Sequence, residues 1–498
     1  MDVAGEGRGL DGRRAVVLGL GRFGGGLGAL RYLLRHGAEV TVTDLAPEAT
    51  LAASLEALPP EDRARVTWRL GGHDGVDFGA ADLLVVNQAV PPGSPHLAAA
   101  RAGGARVTTE LELFLDASPA TLVLVTGTQG KSSTATLVAG LADGAPAHGV
   151  ERPFRRVHLG GNIGRSLLDV VDELVAEDLC VVEVSSYQLE HLGPAPAGRR
   201  GADVLVVTNL LEDHLARHGT LAAYHGAKLR ALELLAPGAR AILPREVQLT
   251  AGDPTTGGAP WSRHDPASTL PGDGAGLGDA LPPERVWTHG PAPADLTLGE
   301  DAFRYAGQPL APLDALALPG SFQRENALCA LGAGLALGLE PPAMAAALPH
   351  VTGPPHRAQE LGRFGRGAWR VVDNGVSTTP DSTRSILIEL DAPVALVCGG
   401  RSKGQDLSDL AAACRGRVAR VHAFGEAADE LAAALGPAVA ATGGAASTHV
   451  TVEEAVAAAL AAMGPDETLL FSPACSSFDA YNNFQERADA FRACLPPA

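Results

Sequence analysis

A lysine and two serines close a glycine-rich turn at residues 126–133, which read Thr-Gly-Thr-Gln-Gly-Lys-Ser-Ser. The apolar run 122–125 before the turn predicts a buried strand, and the residues from Lys131 onward have helical spacing. Such a turn directs backbone N–H groups, a helix N-terminus and one ammonium group toward a phosphate. Ser132 stands where a hydroxyl ligand of Mg²⁺ is expected. The segment predicts a polyphosphate site formed by Gly127, Thr128, Gln129, Gly130, Lys131, Ser132 and Ser133.

The spacing of this turn departs from the common pattern Gly-x-x-x-x-Gly-Lys-Ser/Thr, because Val125 stands where the first glycine is expected. An ordinary strand-to-helix turn with a surface lysine is the alternative interpretation. The strand, the two glycines, the lysine and the hydroxyls nevertheless come in the required order. A GTPase would need a guanine-reading Asn-Lys-x-Asp string, which the sequence lacks. We therefore expect nucleotide-dependent chemistry of another kind.

A carboxylate and an imidazole follow two further apolar runs, 179–184 and 204–208, which predict buried strands. Glu183 stands at the carboxyl end of the first, and His214 follows the second beside an acidic pair. Ligand sites of α/β proteins form at the carboxyl ends of parallel strands, and Mg²⁺ prefers oxygen ligands. Glu183 is therefore a candidate magnesium ligand, and His214 a candidate ligand of a metal or a phosphate. A surface acid and a structural histidine are the alternatives.

A second glycine-rich turn, predicted at 19–28, opens with Gly-Leu-Gly-Arg-Phe-Gly. It follows a predicted strand at 15–18, a helix is predicted at 29–35, and a strand at 39–43 ends at Asp44. Dinucleotide-binding folds have this order, and their backbone approaches a nucleotide or a diphosphate closely. The pattern does not identify the nucleotide. A turn that serves only helix packing is the alternative.

Polar loops follow three predicted strands late in the chain, at 369–372, 394–398 and 468–471, and a further strand is predicted at 420–424. Carboxyl ends of parallel strands share one edge of a sheet, so these loops should converge on one rim. Their content is basic and rich in hydroxyl groups, which fits a small acidic substrate. The candidates in and next to these loops are Arg357, Asp373, Lys403, Ser477 and Phe478.

The length of 498 residues exceeds one hydrophobic core, and we expect three domains, at 1–118, 119–351 and 352–498. Strands that alternate with helices predict an α/β protein with parallel sheets. The expected order is a Rossmann-like N-terminal domain, a central mononucleotide-binding domain with the phosphate loop, and a C-terminal Rossmann-like domain. A helix is predicted at 326–337, and the Gly- and Pro-rich stretch 250–293 is predicted to be irregular.

Composition limits the partners of the chain. The net charge of −18 argues against a nucleic-acid partner but leaves room for a small anionic substrate, since that needs only local positive charge. Six scattered cysteines without a Cys-x-x-Cys pair predict reduced thiols in a cytoplasmic protein. Residues 1–12 are polar and do not resemble a signal peptide, and we expect no membrane span.

Together these motifs resemble the Mur ligases, the ATP-dependent amide-forming enzymes of peptidoglycan synthesis, over nearly the whole chain. The most specific strings are Gly-Gly-Asn-Ile-Gly at 160–164, Glu-Val-Ser-Ser-Tyr-Gln-Leu-Glu at 183–190 and Ser-Pro-Ala-Cys at 472–475. They are most similar to the branch that adds D-glutamate to UDP-N-acetylmuramoyl-L-alanine. The resemblance implies that ATP activates the alanine carboxylate as an acyl phosphate and that the amine of glutamate then attacks it.

The resemblance also implies a role for each candidate residue. The uridine end of the sugar nucleotide would contact Gly21, Arg22, Phe23 and Asp44, and its diphosphate or sugar acid would contact Asn162. ATP phosphates and magnesium would contact Lys131 and Ser132, and the two magnesium ions would contact Glu183 and His214. Pattern alone makes Lys228 a solvated surface lysine, whereas the resemblance implies a carbamylated side chain that orients magnesium. Further ATP contacts would be Asn326, Arg357 and Asp373, and glutamate contacts would be Lys403, Ser477, Phe478 and Phe484. The implied enzyme is a cytoplasmic monomer that needs ATP and Mg²⁺ and binds neither nucleic acid nor membrane.

Two loops depart from the family pattern and keep alternatives open. The string Gly-x-His-Asn-x-x-Asn is matched only at Gly320 and Asn326. Many D-glutamate ligases have a lysine where Gly375 stands, and a related branch ending this loop in Ser-Thr-Thr-Pro, as at 377–380, includes enzymes that add L-glutamate. Addition of L-glutamate is therefore one alternative. A folylpolyglutamate synthetase would leave the N-terminal motif unexplained, and an NAD-binding regulator or dehydrogenase would leave the Lys131 loop unused.

Overall fold

The computed structural model describes residues 9–22, 24–144, 146, 149, 152–193, 199–247, 283–318, 320–365 and 369–496. Phe23, a predicted substrate contact, and residues 250–282 of the predicted irregular stretch lie outside them. The chain divides into two compact units. One consists of residues 1–317 and 324–351, and the other of residues 318–323 and 352–498. Within the described residues, no helix is both long enough and apolar enough to cross a bilayer.

The first sheet of the larger unit is parallel, as predicted for a Rossmann-like domain. Its strands are β1 (Arg14–Leu18), β2 (Glu39–Asp44), β3 (Thr67–Leu70), β4 (Leu83–Val86) and β5 (Arg106–Thr108). Its helices are α1 (Gly25–Arg35), α2 (Ala52–Glu56), α3 (Pro60–Ala64), α4 (Pro95–Ala102) and α5 (Glu110–Ala117). The strand order is β3-β2-β1-β4-β5. The chain therefore reverses its winding direction next to β1, the strand that leads into the glycine-rich turn.

Helix α1 begins four residues earlier than predicted, because glycines that suggested a turn lie inside it. A side chain on Gly26 would collide with the carbonyl oxygen of Leu20, and one on Gly28 would collide with Ser166. Close packing of the helix therefore requires these glycines despite their low helix propensity.

The second sheet of the larger unit carries the phosphate loop. Its strands are β6 (Thr121–Thr126), β7 (Val157–Gly161), β8 (Leu179–Glu183), β9 (Ala202–Val207), β10 (Leu235–Pro244), β11 (Val286–His289), β12 (Leu296–Leu298), β13 (Ala302–Tyr305) and β14 (Gln308–Pro312). Its helices are α6 (Lys131–Asp143), α7 (Ser186–Glu190), α8 (Leu215–His218), α9 (Leu221–Leu229), α10 (Ser321–Ala336) and α11 (Pro341–Ala347). The order is β14-β13-β12-β11-β10-β9-β6-β8-β7. Strand β13 pairs antiparallel with β12 and with β14, and all other neighbouring strands in this sheet are parallel.

Two predictions about this sheet were wrong. The stretch predicted to be irregular up to residue 293 contains β11, which pairs in parallel with β10. Helix α10 begins at Ser321, before the predicted start at residue 326. The prediction missed the first turn because that turn is mostly polar and shows no apolar periodicity. The strands predicted at 122–125, 179–184 and 204–208 are confirmed within one or two residues at each end.

A shared hydrophobic cluster joins the first two sheets. Leu30 and Leu33 of α1 and Leu113 of α5 belong to the same buried cluster as Leu124 of β6 and Leu168. Burial of apolar side chains is the main stabilising contribution to a fold. This continuity explains why both sheets fall into one compact unit.

The smaller unit is a third α/β sheet. Its strands are β15 (Gln359–Phe364), β16 (Trp369–Asp373), β17 (Val394–Gly399), β18 (Val418–Phe424), β19 (Ala445–His449) and β20 (Thr468–Ala474). Its helices are α12 (Pro380–Leu387), α13 (Ser408–Cys414), α14 (Ala428–Ala440), α15 (Val452–Ala462) and α16 (Phe484–Ala493). The order is β15-β16-β20-β17-β18-β19, parallel except for the edge strand β15. The adjacent strands β16, β20 and β17 therefore end at one edge.

Candidate active site

The turn between β6 and α6 has the geometry of a phosphate-binding loop. Gly130 precedes the helix in the left-handed conformation, with φ of 79°. A side chain at this position would also collide with Asn326 Oδ1, to which Thr134 Oγ1 donates over 3.4 Å. The first N–H groups of α6 are the groups that a helix leaves without intrahelical partners. They and the Lys131 ammonium are the groups that the predicted anion site requires.

Residues that follow β9 hold this loop in shape. Asn209 Oδ1 accepts from Gln129 N at 2.9 Å, and Asn209 Nδ2 donates to Gln129 O at 3.2 Å. Leu211 N donates to Thr128 Oγ1 at 3.0 Å, and Lys131 Nζ donates to Thr128 O at 2.9 Å. The loop is therefore organised before any ligand binds, which avoids reorganisation during the reaction.

Glu183 lies directly beside the loop. Residues Val125 and Glu183 are paired across β6 and β8, so the carboxylate emerges next to the start of α6. Ser132 Oγ donates to Glu183 Oε2 at 2.6 Å, and Asn162 Nδ2 donates to Glu183 Oε1 at 3.0 Å. Glu183 is only 2% exposed. The structure thus brings together three predicted site residues that are far apart in the sequence.

His214 lies near this group on the N-terminal side of α8. Its backbone is left-handed, with φ of 53°, and its ring nitrogens lie 3.5 Å from Tyr187 Oη and 3.5 Å from Asp213 Oδ2. Burial lowers the pKa of His214, and the Lys228 and Lys131 ammonium groups lower it further, against the opposing effect of Asp213. This shift favours the neutral imidazole, the form that can donate a lone pair to a metal.

Lys228 on α9 is buried, and the interpretation from pattern alone, a solvated surface lysine, is wrong. The side chain is 1% exposed, Nζ donates to Gly127 O at 2.6 Å, and it lies 4.6 Å from the centre of the Tyr224 ring. Burial and then the nearby Lys131 lower the pKa of Lys228 to about 7, while Asp213 and Glu183 oppose this shift. Lys228 is thus a buried amine in contact with the 127–133 loop, in surroundings that favour its neutral form.

The donor set fits magnesium bound together with a nucleotide. In the described part of the chain, no three His, Cys, Asp or Glu side chains form a ready metal cage. A hydroxyl and a carboxylate oxygen, those of Ser132 and Glu183, do lie together beside the phosphate loop. Mg²⁺ in nucleotide sites is typically held by one or two such protein groups, by phosphate oxygens and by water.

The glycine-rich turn of the first sheet is closed by Asp44. Gly21 N donates to Asp44 Oδ2 at 3.0 Å, and Ala46 N donates to Asp44 Oδ1 at 2.8 Å. Asp44 therefore holds the turn in shape with both oxygens. Arg22 is exposed beside it. The structure brings Gly21, Arg22 and Asp44 together at the carboxyl edge of the first sheet.

Asp373 at the end of β16 is the centre of a polar cluster in the smaller unit. Its side chain is fully buried, its Oδ2 lies 2.8 Å from His356 Nδ1, and Arg492 Nε donates to the same oxygen at 2.7 Å. Arg357 follows His356 and is half-buried. Arg357 is therefore adjacent in sequence to a residue that contacts Asp373. The two predicted nucleotide contacts thus belong to the same region of the smaller unit.

The polar loops that follow β16, β17 and β20 converge, as predicted. Arg401 N donates to Ser476 O at 2.9 Å, and Ser476 N donates to Arg401 O at 3.1 Å, which joins the last two loops. Ser477 is buried in this region, whereas Lys403 and Phe478 are exposed, and Phe484 begins α16. The four predicted glutamate contacts therefore belong to connected loops or to the helix that follows them.

Arg487 on α16 is a residue that the sequence did not indicate. It is fully buried, and its guanidinium donates over 3.0–3.4 Å to four backbone carbonyls of the three converging loops. The acceptors belong to Gly375, Ser377, Gly399 and Cys475. An arginine in a polar amphipathic helix is usually exposed, so only the tertiary structure reveals its position.

Gly375, which stands at a lysine position of many related ligases, has no room for any side chain. A Cβ there would lie 2.5 Å from the Ala488 side chain and 3.0 Å from Asp373 Oδ1. The positive charge next to position 375 is the buried guanidinium of Arg487, which donates to Gly375 O.

Models of three protein domains match the chain in order. The Mur ligase MurD-like N-terminal domain matches residues 13–109, the Mur ligase middle domain matches 125–252, and the Mur ligase glutamate ligase domain matches 356–475. The first and third ranges contain the first and third sheets, and the second range covers the end of β6 and all of β7–β10 of the second sheet. The expectation of three domains is confirmed, whereas the boundaries given above remain predictions.

Curated relatives match almost the full length. A UDP-N-acetylmuramoylalanine--D-glutamate ligase of Geobacter metallireducens is 34% identical over 98% of both chains. A ligase of the same name from Anaeromyxobacter dehalogenans is 35% identical over 97% of both. Among solved structures, MurF of Acinetobacter baumannii is similar with a TM-score of 0.55 at 14% identity, covering 97% of this chain and 92% of that one. That structural likeness concerns the fold. On the sequence matches, the chain belongs to the Mur ligase family, the ATP-dependent ligases that form amide bonds in peptidoglycan synthesis.

Proposed function

We propose that this chain joins D-glutamate to UDP-N-acetylmuramoyl-L-alanine, with conversion of ATP to ADP and phosphate. The observation that carries the proposal is the full-length similarity to relatives named as D-glutamate ligases, at 30–35% identity. The phosphate loop with Glu183 beside it supports this function, since both are needed to move a phosphoryl group between two anions. The folylpolyglutamate synthetase, the NAD-binding regulator and the L-glutamate variant are not favoured by these relatives.

The proposed substrate contacts follow the three sheets. The sugar nucleotide binds at Gly21, Arg22, Phe23, Asp44 and Asn162. ATP binds at residues 127–133 and at Asn326, Arg357 and Asp373. Glutamate binds at Lys403, Ser477, Phe478 and Phe484. Magnesium would be held by Ser132, Glu183, His214 and a carbamylated Lys228.

The first proposed step activates the alanine carboxylate. A carboxylate oxygen forms a bond to the γ-phosphorus of ATP, the bond from phosphorus to the bridging oxygen breaks, and ADP leaves. Both reactants are anions, so Lys131 and the N–H groups at the start of α6 act by neutralising their charge. Magnesium supplies further charge neutralisation when bound.

The second proposed step forms the amide bond. The neutral amine of glutamate attacks the carbonyl carbon of the acyl phosphate, the tetrahedral intermediate expels phosphate, and one proton passes from the amine to the leaving phosphate. The protein needs no nucleophile of its own in either step. Its task is to orient the amine and to keep water from the acyl phosphate.

A matrix of phosphate-release assays tests the proposed function. We expect phosphate release from ATP only when UDP-N-acetylmuramoyl-L-alanine and D-glutamate are both present, with little release for L-glutamate. The comparison of enantiomers is informative because many D-glutamate ligases have a lysine where Gly375 stands. In this protein no side chain fits at that position. Turnover with L-glutamate alone would replace the D-specific assignment, and release without the sugar nucleotide would contradict the ligase itself.

A further inference from the structure

The segment 87–90 after β4 reaches from the first sheet to the phosphate site. Asn87 N donates to Leu18 O at 2.9 Å, which fixes the start of the segment on the first sheet. Arg217 of α8, a helix of the second sheet's domain, donates to the carbonyls of residues 88–90 over 2.8–3.4 Å. Glu190 holds the Arg217 guanidinium at 3.0 Å. The backbone that carries Gln88 is therefore fixed from both sheets.

The side-chain amide of Gln88 connects two residues that flank Glu183. Its Oε1 accepts from Ser185 Oγ at 2.7 Å, and its Nε2 donates to Asn162 Oδ1 at 3.4 Å. Asn162 Nδ2 donates to Glu183 Oε1 at 3.0 Å, and Ser132 Oγ donates to Glu183 Oε2 at 2.6 Å. A chain of hydrogen bonds thus runs from the first sheet to the phosphate loop.

The chain has one direction. An amide accepts at its oxygen and donates at its nitrogen, so the contact with Gln88 fixes Asn162 Oδ1 as an acceptor, the same orientation that the acceptor-only carboxylate of Glu183 favours. With the Gln88 nitrogen on Asn162 Oδ1, the Asn162 nitrogen faces the Glu183 carboxylate. A side chain that cannot donate at position 88 removes this constraint on Asn162. Hydrogen bonds to charged groups are among the stronger ones, so an oriented Asn162 restrains the Glu183 carboxylate.

Other contacts maintain the local fold without Gln88. Gln188 N donates to Ser185 Oγ at 3.1 Å, and Ser185 N donates to Gln188 Oε1 at 2.9 Å, so the start of α7 is capped independently. Asn162 N donates to Glu183 O at 2.8 Å. Loss of the Gln88 amide should therefore release the side chain of Asn162 and leave the backbone in place.

We propose that Gln88 is a positioning residue of the ligase reaction, which orients Asn162 so that Asn162 holds Glu183 beside the phosphate loop. The sheet with the proposed sugar-nucleotide site thereby completes the phosphate site of the second sheet. The kinetic part of this proposal rests on the proposed function. In this proposal Gln88 acts through Asn162.

Two variants of similar size separate hydrogen bonding from packing. In Gln88→Glu the side chain still accepts from Ser185 but cannot donate to Asn162, and in Gln88→Met it does neither. We expect kcat to fall by about 10- to 100-fold in both, since small displacements of catalytic groups have effects of this size. We expect the KM for ATP to stay within about twofold, because the described hydrogen bonds of Gln88 go to Asn162, Ser185 and Arg217 and not to the 127–133 loop. Ala89→Ser, at the exposed next position, is the matched control and should retain wild-type kinetics.

If Gln88 only filled space, both substitutions of similar size would be tolerated. Wild-type kinetics in either variant would therefore contradict the proposal. A fall in Tm that accounts for the loss of activity would also contradict it, because Gln88 would then be a structural residue. Crystal structures of the wild type and of Gln88→Met decide the matter independently of the substrate. We expect Asn162 Nδ2 to leave Glu183 in the variant, and an unchanged contact would overturn the inference even if the ligase assignment holds.

Discussion

Lys228 is a buried amine in contact with the phosphate loop, and its chemistry depends on its protonation state. Burial lowers its pKa to about 7. The neutral amine, not the ammonium form, is the nucleophile that adds CO₂ to give a carbamate anion. Carbamylation changes the charge of this side chain from positive to negative. The environment in the structure therefore supports the proposed modification of Lys228.

The carbamate has a pH dependence with a definite sign. A pKa below that of an ordinary lysine means that protonation occurs in the folded protein only as the pH falls through about 7. At constant dissolved CO₂, we expect activity and carbamate content to decrease together from about pH 8 to about pH 6. A ¹³C NMR signal from protein equilibrated with ¹³CO₂ measures the carbamate directly.

Lys228→Met is the control for that signal, because it keeps an unbranched side chain of similar length and removes the amine. We expect it to lack both the ¹³C signal and the activity, and added bicarbonate should not restore turnover. A signal that persists in the variant, or a fully active variant, would contradict a carbamate at Lys228.

Single residues differ in how far the sequence could predict them. The phosphate loop is a local structure, so the order of strand, glycines, lysine and serines was sufficient to predict it. The burial of Lys228 depends on the contact of α9 with Gly127 O, which no local pattern contains. Asn209 was missed as well, because its contacts with Gln129 form only when β6 and β9 pair.

At the scale of elements, α16 organises the loops of the third sheet through Arg487. One guanidinium satisfies carbonyls from the ends of β16, β17 and β20, which a single cation with a planar fork of donors can reach. Burial lowers the pKa of Arg487 only to about 10, so it remains charged at neutral pH. Removal of this group would leave buried carbonyls without donors, at a cost of about 1–3 kcal/mol each.

Substitution of Arg487 should affect the glutamate site first. In Arg487→Lys the charge is kept but the ammonium cannot bind all three loops, and we expect the KM for glutamate to rise by about tenfold or more. The KM for the sugar nucleotide should change by less than about twofold, because its proposed contacts belong to the other unit. Steady-state kinetics with each substrate varied in turn measure both values.

Arg384→Lys provides the comparison for this experiment. Arg384 on α12 is a surface arginine paired with Asp381 of the same helix. We expect this variant to match the wild type. Equal effects of the two substitutions, or an unchanged glutamate KM in Arg487→Lys, would show that α16 does not shape the glutamate site.

Elements were predicted well where apolar runs are continuous and poorly where glycine dominates. Strands β6, β8 and β9 are buried on both faces, and their sequences are correspondingly apolar. The start of α1 was missed because packing against Leu20 and Ser166 selects glycine inside a helix. Strand β11 was missed because it follows a long Gly- and Pro-rich stretch and owes its pairing to β10.

At the scale of the whole molecule, the three domain types follow one another in the order that the sequence predicts. The protein has a net charge of −18, which on average repels substrates that are themselves polyanions. Local fields decide binding in such a case, and the phosphate site carries Lys131 and the N-terminus of α6. The prediction that a strongly acidic chain can bind anionic substrates thus depends on local geometry and not on composition.

The central claim is that this molecule transfers the γ-phosphoryl group of ATP to a carboxylate before it forms an amide. The most direct measurement uses UDP-N-acetylmuramoyl-L-alanine with ¹⁸O at both oxygens of the alanine carboxylate. An acyl phosphate retains the attacking carboxylate oxygen, and the oxygen leaves with phosphate when the amide forms. Mass spectrometry of the released phosphate should therefore show one ¹⁸O atom per amide bond formed. Released phosphate without ¹⁸O, alongside normal product formation, would contradict the account.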